Sequence, residues 1–96
     1  MAGIHALDTI HPMTAEQVAE LIRTGLPNAT VRILTDDDTH FEALVVATQF
    51  AGKRSIARHQ LVYAALGPRM GREIHALSIK AFTPEEWAAT QGREAQ

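Results

Sequence analysis

The protein has 96 residues, which is the size of a single domain. Its hydrophobic fraction of 46% and charged fraction of 21% are ordinary for a globular chain, and no apolar run approaches the roughly 20 residues that a transmembrane helix needs. The formal net charge of −2 disfavours tight non-specific binding to nucleic acid, and the lack of cysteine excludes disulfides and any metal site built on the chain's own thiolates.

The ends of the chain are predicted to be flexible tails. Residues 1–13 show no helical or strand period, and they lack the basic region and long apolar stretch of a secretory signal. A cytoplasmic location is therefore the expectation. The folded domain is predicted to span residues 14–90, followed by a C-terminal tail at residues 91–96.

The first half of the domain is predicted to be a helix followed by a hairpin. Thr14 and Gln17 have the spacing of a capping box at the start of the helix, and Gly25 is placed to end it in a left-handed conformation. Two β-rich stretches follow at residues 31–34 and about 40–48. Their short connection predicts an antiparallel pair.

The second half alternates helix and strand. A helix capped by Ser55 is predicted to end at Gly67, followed by a short helical turn at residues 68–72. Residues 74–82 are predicted to form the third strand, and Thr83 to cap the last helix. The predicted fold class is α+β: a small three-stranded mixed sheet packed on helices in the order α-β-β-α-α-β-α.

Two histidines mark the starts of the second and third predicted strands. His40 opens the second strand, and His75 lies near the start of the third. If these strands are parallel, both begin at the same end of the sheet, and the two imidazoles emerge at one rim. In a chain without cysteine, imidazole is the best ligand for iron or zinc. Each histidine also has a structural interpretation, half-buried beside Leu77 for His75 and at a strand edge for His40.

Five short segments together carry a more specific signal than any of them alone. They are Thr39-His40-Phe41-Glu42, Phe50-Ala51-Gly52-Lys53-Arg54, Arg58-His59-Gln60-Leu61-Val62-Tyr63, Ile74-His75-Ala76-Leu77-Ser78-Ile79 and Thr83-Pro84-Glu85-Glu86-Trp87. In order and spacing, over residues 14 to about 89, the chain resembles the BolA family in its IbaG-like branch.

The resemblance implies a fold similar to the class II KH domain and a role in iron–sulfur trafficking, stress response or iron regulation. The implied partner is a monothiol glutaredoxin with a CGFS motif. The two proteins would share a [2Fe–2S] cluster held by a glutaredoxin cysteine, by glutathione and by ligands of this chain, which alone would bind no cofactor. His75 matches the family's characteristic ligand, and His40 is the residue that can serve as the second ligand from the short loop between the first two strands.

Several alternatives stay open at this point. A basic group and a nearby histidine are interpreted as a solvated surface, or alternatively as contacts to a partner or to nucleic acid; the group comprises Lys53, Arg54, Arg58, His59, Arg69 and Arg72. The resemblance also implies an alternative function as a KH-like, nucleic-acid-binding transcription regulator, because KH-like folds bind single strands and some BolA relatives are described as transcriptional regulators. Against it, Gly67 and Gly71 are one position too far apart for the GxxG loop of KH domains.

Other functional classes are disfavoured by the sequence. The aspartate run 36–38 lacks the ligand series of an EF-hand and is interpreted as solvated charge. No nucleophile motif or phosphate-binding glycine loop is present, so the protein is not expected to be an enzyme. We expect a monomer or weak homodimer that does not bind membranes, and a homodimer bridged by iron or zinc through histidines remains an alternative.

Overall fold

The structure is a computed structural model that describes the backbone of residues 13–94 and the side chains of residues 13–91. The tail predicted at residues 1–13 lies outside these ranges except for Met13. Of the tail predicted at residues 91–96, the backbone of residues 91–94 is described and belongs to the helix Pro84–Glu94. The flexibility of both tails stays a prediction. Met13, the first described residue, is buried against the core. Among the residues that the structure describes, no helix combines the length and apolar character needed to cross a membrane.

The order of elements confirms the predicted fold class. The elements are α1 (Ala15–Gly25), β1 (Thr30–Thr35), β2 (His40–Val46), α2 (Ser55–Leu66), β3 (Ala76–Phe82) and α3 (Pro84–Glu94), with 3₁₀ turns at Thr48–Phe50 and Gly67–Arg69. The second of these turns is the short helical element predicted between α2 and β3. The third strand begins two residues later than predicted, because Ile74 pairs with Met70 in a tight turn before the chain joins the sheet.

The sheet contains one antiparallel and one parallel pairing. β2 lies in the centre, antiparallel to β1 and parallel to β3. The alternation predicted for β2 is confirmed, since Phe41, Ala43 and Val45 are all buried. With residues of α1 and α2 they form a core whose largest fully buried side chains are Phe50, Ile22, Leu66, Ile74, Val18, Val45 and Val62.

Side-chain capping explains where two of the three helices begin. In α1 the Thr14 hydroxyl accepts from the backbone N–H of Gln17, and the Gln17 side chain accepts from that of Thr14, as the capping-box pattern predicts. Thr83 and Glu86 make the same reciprocal pair at the start of α3. The cap predicted at Ser55 is wrong: Arg54 occupies the cap position of α2 and makes no side-chain capping bond.

Gly25 has a different role from the predicted one. It is the last residue of α1 and does not have a positive φ; in this turn that conformation belongs to Asn28, whose φ is 70°. Instead, a Cβ built at Gly25 would lie 2.5 Å from the Cβ of Ala65 on α2. The glycine is therefore needed because α1 and α2 approach each other too closely for a side chain.

We predict that Gly25→Ala lowers the free energy of unfolding by about 1–3 kcal/mol, because the added methyl group forces the two helices apart. Urea denaturation followed by circular dichroism measures this change. The double variant Gly25→Ala/Ala65→Gly should regain part of the loss, whereas Ala64→Gly alone reports the cost of a glycine in α2. Unchanged or increased stability of Gly25→Ala would contradict the close approach of the helices.

Arg58 connects three elements. From α2, its guanidinium donates to the backbone carbonyl oxygens of Lys53 and Ala81 at 2.8 and 3.1 Å. It also donates to both carboxylate oxygens of Glu86 at 2.7 and 3.1 Å, and it lies 5.8 Å from the centre of the Phe50 ring. The side chain is only 12% exposed, so this bidentate pair fixes α3 against the end of β3 and the start of α2.

The ion pair between Arg58 and Glu86 shifts the pKa values of both side chains. The Arg58 hydrogen bonds and the backbone N–H of Thr83 lower the pKa of Glu86 from 4.5 to about 2. Hydrogen bonding to Glu86 raises the pKa of Arg58. A carboxyl group whose pKa is lower in the folded state stabilises the fold above its unfolded pKa, and this contribution disappears as the pH falls through the folded value.

We therefore predict that Glu86→Gln melts a few degrees below the wild type at pH 7. The difference should shrink below about pH 4.5 and become small near pH 2, where about half of the wild-type carboxyl groups are protonated. Thermal melts between pH 2 and pH 7 test this. Glu85→Gln is the matched control, since it removes a neighbouring charge that makes no described hydrogen bond. A deficit at pH 7 no larger than that of the control would refute the role of Glu86.

Candidate functional site

The parallel pairing of β2 and β3 brings the two predicted ligands to one end of the sheet. His40 is the first residue of β2 and pairs with Ala76, the first residue of β3. His75 immediately precedes Ala76, and its backbone N–H donates to the carbonyl oxygen of Thr39 at 3.2 Å. Both histidines therefore lie at the same end of the sheet, as expected from a parallel arrangement. The two histidines are one residue out of register, because Ala76 rather than His75 lies opposite His40.

Neither imidazole is enclosed by the domain. His75 is exposed, in contrast to its half-buried structural interpretation, and it immediately precedes the first residue of β3. The His40 side chain is 69% exposed. Both rings are consequently accessible to a group outside this chain.

Asp37 organises the loop that leads to His40. One carboxylate oxygen, Oδ1, accepts from the backbone N–H groups of Thr39 and His40, each at 3.0 Å. The other, Oδ2, lies 2.9 Å from Nδ1 of the His40 ring. These hydrogen bonds, above all the one from the His40 backbone, hold the pKa of the Asp37 carboxyl far below its usual range. At neutral pH the carboxylate is thus ionised and acts only as an acceptor.

The rest of the loop is held by Thr35. Its hydroxyl donates to the carbonyl oxygen of His40 at 2.7 Å and accepts from the backbone N–H of Asp38 at 2.9 Å. Asp38 has a positive φ of 60°, a conformation that aspartate and asparagine adopt more readily than most residues. The loop between β1 and β2 is therefore held by hydrogen bonds up to His40, the residue at its end.

The interpretation of residues 36–38 as solvated charge missed the part played by Asp37. The available signal was its spacing, because an aspartate often accepts from backbone N–H groups two or three residues later in the chain. That pattern could have indicated a turn. It could not have indicated the contact with the imidazole, which depends on the rotamer of His40.

A cleft of about 580 Å³ lies beside this loop and includes His40 but not His75. It is lined by Leu34, Thr35, Asp36, Asp37, His40, Phe41, Glu42, Ala76, Leu77 and Ser78. Among the described residues, no group of three or more histidine, cysteine, aspartate or glutamate side chains is arranged to hold a metal ion. The site therefore offers two accessible imidazoles at one end of a sheet rather than a complete set of ligands.

The basic residues proposed as partner contacts differ in how accessible they are. Lys53, Arg54, Arg69 and Arg72 are exposed, while His59 is half-buried on α2. Arg58 differs from all of them because internal acceptors occupy its guanidinium. The structure thus assigns Arg58 an internal role, and its part in binding a partner stays a prediction.

Comparison with known proteins identifies the family. The sequence model of the family described as BolA-like protein matches residues 23–86. This chain belongs to the BolA-like family. Its predicted place in the IbaG-like branch stays a prediction.

Individual relatives agree with the family assignment. An uncharacterised protein from the rpoN–murA intergenic region of Acinetobacter guillouiae is 38% identical over 76 residues, which cover 78% of this chain and 90% of the relative. The solved structure of a BolA homologue from Coxiella burnetii has a TM-score of 0.72 at 42% identity, and the match covers 79% of this chain and 97% of that one.

The shared stretch is shorter in other relatives. A protein of Haemophilus influenzae named as the DNA-binding transcriptional regulator BolA is 40% identical over 52 residues, which cover 54% of this chain and 50% of the relative. The chain therefore spans about half the length of that regulator. That relative is named as a regulator, in agreement with the expectation that this chain is not an enzyme.

Proposed function

We propose that this BolA-like protein is an iron–sulfur adaptor that docks on a monothiol glutaredoxin of the CGFS type. His75, with His40 as the second ligand, would bind a [2Fe–2S] cluster that is also held by a glutaredoxin cysteine and by glutathione. The cluster is cargo shared between the two proteins rather than a resident cofactor. The observation that carries the proposal is the parallel β2–β3 register, which leaves two exposed imidazoles at one end of the sheet.

The ligand types available on this chain suit a shared site. Iron–sulfur clusters are usually held by four ligands, most often thiolates. This chain has no cysteine, so any thiolate ligand must come from elsewhere. Two histidines on one side would complement two thiolates on the other, and both imidazoles are accessible from outside the domain.

Histidine ligation also suits a cluster that must be released. Replacing thiolate with neutral imidazole raises the reduction potential of an iron–sulfur cluster. Because histidines in general titrate near neutral pH, the iron–imidazole bond can be broken by protonation under mild conditions. A cluster held partly by this chain would therefore be easier to transfer, or more responsive to its surroundings, than one held only by thiolates.

We predict that adding the wild-type protein to a cluster-loaded CGFS glutaredoxin, under anaerobic conditions with glutathione, changes its visible absorption and circular dichroism spectra. His75→Ala should weaken this change by about tenfold or more, because it removes a ligand to the cluster. The exposed position of His75 means that the variant should fold normally, with stability within about 0.5 kcal/mol of the wild type.

His75→Cys is the matched comparison for this experiment. A thiolate at position 75 can replace the imidazole as a ligand, so the variant should retain a spectral change of altered shape. Far-ultraviolet circular dichroism checks that each variant is folded. No spectral change on mixing the wild-type proteins would refute the adaptor function, and an undiminished change with His75→Ala would refute the ligand role of His75.

DNA binding is the second candidate function. It is favoured by four exposed cationic side chains near the two ends of α2, Lys53, Arg54, Arg69 and Arg72, and by the name of the Haemophilus influenzae relative. Against it stand the net charge of −2 and the spacing of Gly67 and Gly71, which does not match the GxxG loop. The basic group can bind phosphates only weakly, because few cations are involved.

A DNA-binding role predicts that affinity for single-stranded DNA falls as salt rises, with a logarithmic slope proportional to the number of phosphates contacted. Lys53→Ala or Arg54→Ala should each reduce that slope by about one. Fluorescence anisotropy between roughly 20 and 200 mM salt measures it. Lys80→Ala, a change of one lysine in β3, serves as the charge control. If no binding is measurable at the lowest salt concentration, this candidate is eliminated.

A further inference from the structure

The loop before β2 does more than expose His40, because it also determines which ring nitrogen of His40 carries the proton. Nδ1 lies 2.9 Å from the Asp37 carboxylate, which has no proton to donate. A hydrogen bond at this distance therefore requires the proton to be on Nδ1. In the neutral ring, the lone pair is then left on Nε2, the nitrogen that does not contact Asp37.

A competing arrangement is disfavoured by the same geometry. The Thr39 hydroxyl also lies near Nδ1, at 3.1 Å, and could donate to it if the proton were on Nε2 instead. In that case Oδ2 of Asp37 would face an imidazole lone pair at 2.9 Å, so two electron-rich atoms would be in contact. The carboxylate is held in place by two backbone N–H groups and cannot readily turn away.

We propose that Asp37 is the positioning residue of His40. It fixes the ring orientation and the Nδ1–H tautomer, so that Nε2 is ready to bind a metal from outside the domain. A carboxylate that accepts from the remote nitrogen of a histidine ligand is a common device for orienting the ring and making it a better donor. The tautomer matters because an unconstrained neutral histidine favours Nε2–H, which leaves that nitrogen without a free lone pair.

The inference rests on the proposed function only for the identity of the metal, since the tautomer is a property of the isolated protein. It explains why a short loop can supply a useful second ligand. The ordering of the ring is already achieved within residues 37–40, before any partner binds.

Asp37→Asn is the most informative variant. Its amide oxygen can replace Oδ1 as acceptor for the two backbone N–H groups, so the turn is kept. Its NH₂ group then takes the place of Oδ2 and donates to Nδ1, which forces the proton of the neutral ring onto Nε2. Asp38→Asn makes the same change of charge in the same loop and suits the positive φ of that position, so it is the matched control.

The first experiment observes the imidazole nitrogens of His40 by ¹H–¹⁵N NMR in the isolated protein, at a pH where the ring is neutral. We expect the Nδ1–H tautomer in the wild type and in Asp38→Asn, and the Nε2–H tautomer in Asp37→Asn. A wild-type ring mainly in the Nε2–H form would overturn the proposal, as would a tautomer unaffected by Asp37→Asn. This result does not depend on glutaredoxin.

The second experiment is a double-mutant cycle read by titration with cluster-loaded glutaredoxin. Asp37→Asn should raise the concentration needed for half of the spectral change by about tenfold, as His40→Ala should. Combining the two should add little, because a positioning residue acts only through the group that it orients. An effect of Asp37→Asn that persists in full without His40 would overturn the proposal.

The outcomes for the two proposals can be told apart. If His40→Ala leaves the titration unchanged while His75→Ala weakens it, the adaptor function stands and the positioning role for Asp37 fails. If the wild-type proteins give no spectral change at all, the adaptor function fails, and the NMR result alone supports or refutes the control of the His40 tautomer by Asp37.

Discussion

The site depends on one backbone interaction, the start of the parallel ladder between β2 and β3. The carbonyl oxygen of Thr39 accepts from the backbone N–H groups of His75 and Ala76 at 3.2 and 3.3 Å. This contact sets the register in which Ala76 lies opposite His40. A shift by one residue would turn every side chain of β3 to the other face of the sheet, so the hydrophobic core and the positions of the histidines are specified together.

The two histidines are presented in different ways. His40 is held by a loop of short polar side chains, in which Asp37 and Thr35 satisfy backbone groups that no strand partner reaches. His75 is attached through its backbone, and none of the described hydrogen bonds involves its ring. One imidazole is therefore oriented in advance, while the other is free to adjust. For a cluster shared with a second protein, as proposed, this combination would reduce the ordering cost at His40 and allow adaptation at His75.

Rigidity away from the site comes from polar contacts as well as from the core. The guanidinium of Arg58 binds the end of β3, the start of α2 and the first turn of α3 through Glu86. Near the other end of α2, Gly25 allows α1 to approach α2 at Ala65. These contacts hold the helices against one another and against β3, although neither of them lies at the histidines.

The sequence by itself determined the elements and their order, because these depend on local signals. The capping boxes at Thr14 and Thr83 and the alternation of β2 correctly indicated where the elements lie. The same signals identified the two histidines as strand-start residues. Local signals were misleading at Ser55 and Gly25, where the apparent caps make no capping bond or have no left-handed conformation.

Only the tertiary structure decided two kinds of contact: those between residues distant in sequence, and those that depend on a side-chain rotamer. No local pattern indicates that Gly25 must lie against Ala65, or that Arg58 forms an ion pair with Glu86 within the domain. The exposure of His75, next to the fully buried Ile74, was also not indicated by the alternation of the predicted strand. Sequence patterns record the preferences of neighbouring residues, whereas these features arise when packing brings separate segments within bonding distance.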